Sequence, residues 1–256
     1  MLPNLRYTSD WRSLAFLAIA YFLLLFPLLY DLPPILALIL VPVSGFQSFC
    51  VWVINHNHMH LSIFKQQWAN LLLNIALTLP RGYSATEIVS SPIIIIITFI
   101  TATKKTGWDR SLQVRALASD ASAAIIKANA NAARESRSPT SPHLSNQQQK
   151  SIFLEKTALG IFILAMLAIG GVKVLIFVLL PWAIGTVCLL GINLLQHDGG
   201  HHESPYNHSR NFTDHLGNWF FFNNGYHTIH HLRSTQHWSL LPQGHDRLVK
   251  PYIAPS

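Results

Sequence analysis

Four apolar runs arranged as two close pairs decide most of what this chain can fold into. Leu14 to Tyr30 is uncharged throughout, and after Asp31-Leu32-Pro33-Pro34 a second run extends from Ile35 to Ile54. A second pair follows Glu155 and Lys156: Ala158 to Gly170, then Val174 to Leu195, split by Gly170-Gly171-Val172-Lys173. The first two are close to the roughly 20 residues that cross a bilayer core. Only 11% of the 256 residues are charged and half are hydrophobic, whereas soluble domains carry about 25% charged residues. The expected fold class is therefore an all-α integral membrane protein of one domain. Its four transmembrane helices form two hairpins at about residues 13–30, 35–54, 156–170 and 173–195, and a His-rich cap occupies 196–256.

Arg6 and Arg12 precede the first run as they would in a secretory signal. Its apolar core is too long for one, no small-residue cleavage site follows, and Pro33-Pro34 turns straight into the next run, so it is expected to stay in the mature protein. The two outer turns carry only Asp31 and Lys173, while Lys65 to Lys150 holds ten Lys/Arg against four Asp/Glu. By the positive-inside rule that segment, both termini and the His-rich face belong in the cytoplasm. The formal charge of +7 is the usual bias of such loops, so anionic lipid headgroups, and not nucleic acid, are the expected neighbours. Cys50 and Cys188 sit within spans and are expected to be packing residues. In the cytoplasmic loop 55–153, Trp68 to Pro80 is too short to span and is expected at the interface. A helix is expected over Ala121 to Arg134, and the low-complexity stretch 101–150 otherwise reads as a disordered, solvated linker.

Thirteen of the 14 histidines fall in two windows, residues 56–60 and 197–245, each directly after an apolar run. His56 and His60 are i, i+4 neighbours on one helical face, with His58 pointing elsewhere. Asn193 and His197 repeat that spacing at the end of the fourth run. Near the C-terminus stands Asn223-Asn224-Gly225-Tyr226-His227-Thr228-Ile229-His230-His231, where a helix beginning near Tyr226 would aim its three imidazoles at one point. That point is most simply a metal. His201, His202 and His208 read as loop residues for which a surface role weighs at least as much as ligation. Together, His56, His60, His197, His227, His230 and His231 exceed the four ligands of a structural zinc site, and a pair of metals is the economical reading. Asn193, Asp198, His58 and Asn224 are candidates for an outer shell around them.

The order H-x-x-x-H, N-x-x-x-H, N-N-G-Y-H-x-x-H-H resembles the membrane fatty acid desaturase and hydroxylase superfamily over most of the chain apart from residues 92–150. The resemblance implies two Fe ions held by about nine ligands from three histidine boxes, with O2 as co-substrate and a lipid acyl chain as substrate. It also implies an external electron donor, ferredoxin- or cytochrome b5-like. His56 and His60 match the first box, His227, His230 and His231 the third, and His197 the extra histidine, with Asn193 near a metal-bound water. The function expected on this basis is a desaturase-like oxidoreductase. A carotenoid or other lipid hydroxylase or ketolase is a second reading, and a non-catalytic membrane protein with a partial metal site a third.

One element departs from the resemblance. Where a second box H-x-x-H-H or H-x-x-x-H-H belongs stands Pro92-Ile93-Ile94-Ile95-Ile96-Ile97-Thr98. Isoleucine codons read from their third base give Asn, His or Tyr, and Lys104 to Gly107 in the same frame allow Glu-Asp-Trp. Residues 92–107 are therefore read as a frameshifted second box, with the frame restored between Gly107 and about Ala130. A genuine hydrophobic insertion is the competing reading. The nucleotide sequence decides between them: if a one-base shift across this stretch yields no histidine cluster, the frameshift is excluded. Loss of three imidazoles would weaken or remove at least one metal and impair activity.

Overall fold

The computed structural model describes residues 3–87, 144–197 and 205–253. The isoleucine run, the expected helix over 121–134, and Asp198, His201 and His202 lie outside the described residues. Among the described residues eight α-helices follow in order: α1 (Trp11–Leu29), α2 (Pro34–His60), α3 (Gln67–Thr78), α4 (Asn146–Gly170), α5 (Leu180–His197), α6 (His215–Phe220), α7 (His227–Leu232) and α8 (Leu241–Leu248). A π-helical turn, Leu175–Leu179, leads into α5. Four helical stretches among the described residues are long and apolar enough to cross a membrane, as the two hairpins require. Large apolar side chains such as Phe22, Leu38, Leu164 and Val187 stand exposed on their outer faces; in water they would form an untenable patch, in lipid they are solvated.

Local chemistry sets the helix ends. Pro33 takes an extended conformation and Pro34 opens α2, where a missing N–H costs nothing and a fixed φ suits the first turn. α2 then runs past the apolar stretch to His60, which brings the first histidine pair onto regular helix. α4 begins ten residues earlier than the expected span and overlaps the expected linker. Ser145 accepts a hydrogen bond from the Gln148 N–H while the Gln148 side chain accepts from the Ser145 N–H. This is a capping box, behind which glutamines are good helix formers. Asn146–Gln149 thus belong to the helix, and a count of apolar residues alone could not show it.

α2 and α5 approach most closely. A Cβ at Gly185 would lie 2.6 Å from Ser48 Oγ, so the small residue is what lets the two backbones meet, as at other membrane helix crossings. Cys50 is buried in this core, whereas Cys188, expected to pack as well, is exposed on α5. At the turns within the two hairpins Lys173 Nζ lies 2.6 Å from Asp31 Oδ1, an exposed pair that water screens and that contributes little to stability.

At the opposite end the buried residues include charged and polar ones among the apolar side chains. Glu155 is fully buried: it accepts from the Thr86 N–H at 3.0 Å, from the Thr86 hydroxyl at 2.6 Å and from the Ser151 hydroxyl at 2.8 Å, and the Ser84 hydroxyl also donates to it. This ties α4 to the turn after α3. Arg81, equally buried, stacks over Trp52 at 4.4 Å and donates only through Nε, to the Leu77 carbonyl. Burial lowers its pKa to about 9, opposed by the nearby Glu155. The C-terminal segment packs on the N-terminus: Asp10 accepts from Trp238 Nε1 at 2.9 Å and His237 Nε2 at 3.2 Å, and Tyr7 stacks on His237 at 4.0 Å. Through Trp238 and Leu241 it closes the same apolar core that holds Trp52 and Ile229.

Candidate metal centre

The C-terminal ends of α2 and α5 deliver His56, His60 and His197 to one end of the helical bundle, and the six-residue α7 lies across them. What holds α7 there is the turn before it. Phe222 and Asn223 adopt positive φ, 50° and 58°, a region that asparagine tolerates better than most residues. Asn223 then donates to the Trp238 carbonyl at 3.1 Å. Gly225 presses its backbone on the neighbouring segment: its carbonyl accepts from Phe212 N–H at 2.9 Å and its N–H donates to Asn218 Oδ1 at 3.1 Å. A Cβ at Gly225 would lie 2.2 Å from the Phe212 carbonyl oxygen. Gly225→Ala is expected to displace the start of α7 and cost about 1–3 kcal/mol, read as a lower denaturation midpoint together with reduced metal retention.

The imidazoles of α7 do not meet at one point, as the sequence suggests; they divide. His230 joins His56 and His60, while His227 and His231 join His197, and within each trio one nitrogen per residue lies within 4.8 Å of the others. The reason is helical geometry. His227 and His231 are one turn apart and nearly superposed, with ring centroids 4.5 Å apart, while His230 sits 6.0 Å from His227 and 5.9 Å from His231. One short helix therefore contributes to two histidine clusters side by side, each of which could hold a metal ion.

The donor sets suit a cation. His56 Nε2 faces His230 Nε2 at 2.8 Å, and His227 Nε2 faces both His197 Nε2 and His231 Nε2 at 3.0 Å. Ligands about 2.1 Å from one ion and at right angles to each other stand about 3.0 Å apart. A neutral imidazole has one N–H at most, so His227 Nε2 cannot donate to both of its neighbours; a shared cation accepts all three lone pairs. Protonation is disfavoured as well. His227 and His230 are held well below the usual imidazole pKa, first by burial and then by neighbouring histidines, and His231 is lowered to about 4 by burial, then by His197, His208 and His60. Neutral rings are the form that ligates.

This has a sign that can be measured on metal-free protein. Between about pH 4 and the unfolded value near 6.5, the unfolded chain binds more protons at His231 than the folded chain does. Stability is then complete above about pH 6.5 and is expected to fall as pH drops toward 4. Denaturant midpoints across that window check this, and His231→Gln should flatten the slope.

The outer-shell candidates fare differently. His58 is buried on the other side of α2, where Nε2 donates to Asn74 Oδ1 at 3.0 Å and Nδ1 accepts from the Ile63 N–H at 3.1 Å. It clasps α3 and does not support either trio, since position i+2 on a helix lies about 160° from its neighbours' face. Asn193 donates to the Leu189 carbonyl of its own helix at 2.9 Å. The Asn224 carbonyl accepts from Gln196 Nε2 at 2.9 Å, and its side-chain oxygen is buried without a partner. Asp198 lies outside the described residues.

Sequence reasoning passed over the scaffold beneath the second trio. Thr228, between two candidate ligands, is gripped by Ser209 and by both ends of the Asn211 amide at 2.9–3.0 Å, and Arg210 N–H donates to the Gln196 carbonyl at 2.7 Å. The signal available was the polar run Ser209-Arg210-Asn211, three hydrogen-bonding residues in a row ahead of the third histidine group.

The model of the fatty acid desaturase family matches residues 99–256, a stretch that includes α4, α5 and α7. No curated protein and no solved structure matches significantly. The match covers more than half of the chain and contains four of the six clustered histidines, and the chain belongs to the fatty acid desaturase family.

Proposed function

We propose that the two histidine trios hold two Fe ions and that the chain is, by descent, an O2-dependent oxidoreductase acting on a lipid acyl chain. The observation that carries this reading is the division of one helical turn between two sites of three nitrogens each. The bound ions would supply O2 activation. The net change of a desaturation balances as one CH2–CH2 unit, O2, two electrons and two protons giving one CH=CH unit and two waters, the electrons coming from an external ferredoxin- or cytochrome b5-like donor. His56, His60 and His230 would form one site and His197, His227 and His231 the other. Asn193 would stand near a metal-bound water. Loop charge supports a cytoplasmic His-rich face and cytoplasmic termini.

A specific observation favours a second reading, in which this chain has lost turnover: Pro92 to Ile97 stand where a second box belongs. Three imidazoles per site bind more weakly than a full set. Reconstitution with Fe(II), followed by iron analysis and a lipid oxidation assay under O2 with a reduced ferredoxin, separates the two. Oxidised lipid at about two irons per chain supports the enzyme, whereas iron without product supports the impaired chain. Zinc retained in preference to iron, with no redox response, refutes the redox reading.

A further inference from the structure

His208 lies in the segment before α6 and belongs to neither trio, yet its ring stands against His231 at 5.2 Å between centroids and 83° between planes. His197, a member of the second trio, meets the same ring at 5.2 Å and 71°. The two imidazoles thus address His231 in the same edge-to-face manner. His208 is also set in one tautomer, since Nδ1 lies 2.9 Å from the Pro205 carbonyl oxygen. A carbonyl can only accept, so Nδ1 carries a proton, and in the neutral ring Nε2 is the nitrogen with the lone pair. An imidazole whose rear N–H is held by a backbone carbonyl is the usual arrangement of a metal-ligating histidine.

The backbone around His208 is anchored to neighbours of the trio. Ser209, next in sequence, bonds to Thr228 at 2.9 Å, and Thr228 adjoins His227. Arg210 N–H donates at 2.7 Å to the carbonyl of Gln196, which adjoins His197. Both links start within two residues of His208 and end one residue from a candidate ligand. The first trio has no such attendant among the described residues.

We infer that His208 is a fourth nitrogen ligand of the second site, brought onto the ion through Nε2 when metal binds to His197, His227 and His231. The inference rests on the metal-centre reading above. It gives the chain four nitrogens at one site and three at the other, so the two sites differ in retention.

The test uses the full chain in detergent, loaded with Co(II), whose visible absorption reports its ligand set, and then challenged with a chelator. In wild type the second-site ion should leave at least tenfold more slowly than the first-site ion. His208→Gly should remove that difference and shift the second-site absorption, and added imidazole should restore both. His208→Gln, which keeps bulk at the position, should show the same loss and serves if the glycine variant folds poorly. Unchanged release and an unchanged spectrum in both variants would overturn the inference while leaving the centre itself standing. Failure of wild type to bind Co(II) at all would instead overturn the reading on which it rests. Faster release with no spectral shift and no rescue by imidazole would make His208 a structural prop, which also refutes ligation.

Discussion

His227→Ala is expected to empty the second site. Its Nε2 is the atom that faces both His197 and His231 at 3.0 Å, so the substitution removes a nitrogen that meets both of the others. Loss of an outer-shell partner already costs 10–100-fold in metal affinity, and loss of this central ligand should exceed about 100-fold. Iron per chain should fall by one, and any O2-dependent oxidation of lipid should drop below detection. His58→Ala is the matched control from the same set of histidines. It breaks the clasp to Asn74 and Ile63 and should lower stability while leaving iron per chain unchanged. Equal iron loss in both variants would show that the trios are not distinguished from the other histidines.

The second large effect is on stability. Glu155→Ala removes the acceptor shared by the Thr86 N–H and the hydroxyls of Ser84, Thr86 and Ser151. Each buried donor left without an acceptor costs about 1–3 kcal/mol. Arg81 also loses the carboxylate that offsets its burial, while its terminal nitrogens already lack hydrogen-bond partners. A loss of about 3 kcal/mol or more is expected from chemical denaturation in micelles, with a smaller loss for Glu155→Gln, which keeps an acceptor oxygen. A change below about 0.5 kcal/mol, the range of surface substitutions, would contradict the picture of a closed polar cluster joining α4 to α3.

Much of this was legible in the amino-acid order because membrane burial and metal ligation both impose strict spacing. The apolar runs fall on α1, on α2, which continues to His60, and on the π-helical turn and α5, and the i, i+4 rule placed His56 with His60. Where spacing is silent, sequence reading stopped. The start of α4 depended on a capping box that ranks below hydropathy as a signal. The division of His227, His230 and His231 between two trios depended on which helices lie beside α7, a tertiary fact. Glu155, which looks like a flanking charge before a span, is buried because the turn at Ser84–Thr86 folds over it. His208 reads as a loop residue for which a surface role weighs at least as much as ligation, because its ring contact is with His231, distant in sequence, and only packing brings the two together.

The most direct test of two metal sites is a titration of the metal-free chain with Fe(II), under argon, with iron per folded chain as the readout. Two ions per chain, falling to one in His227→Ala and to one in a His56→Ala, His60→Ala double variant, is the predicted result. A folded chain that binds one ion or none, or one whose iron content does not respond to these substitutions, would contradict it.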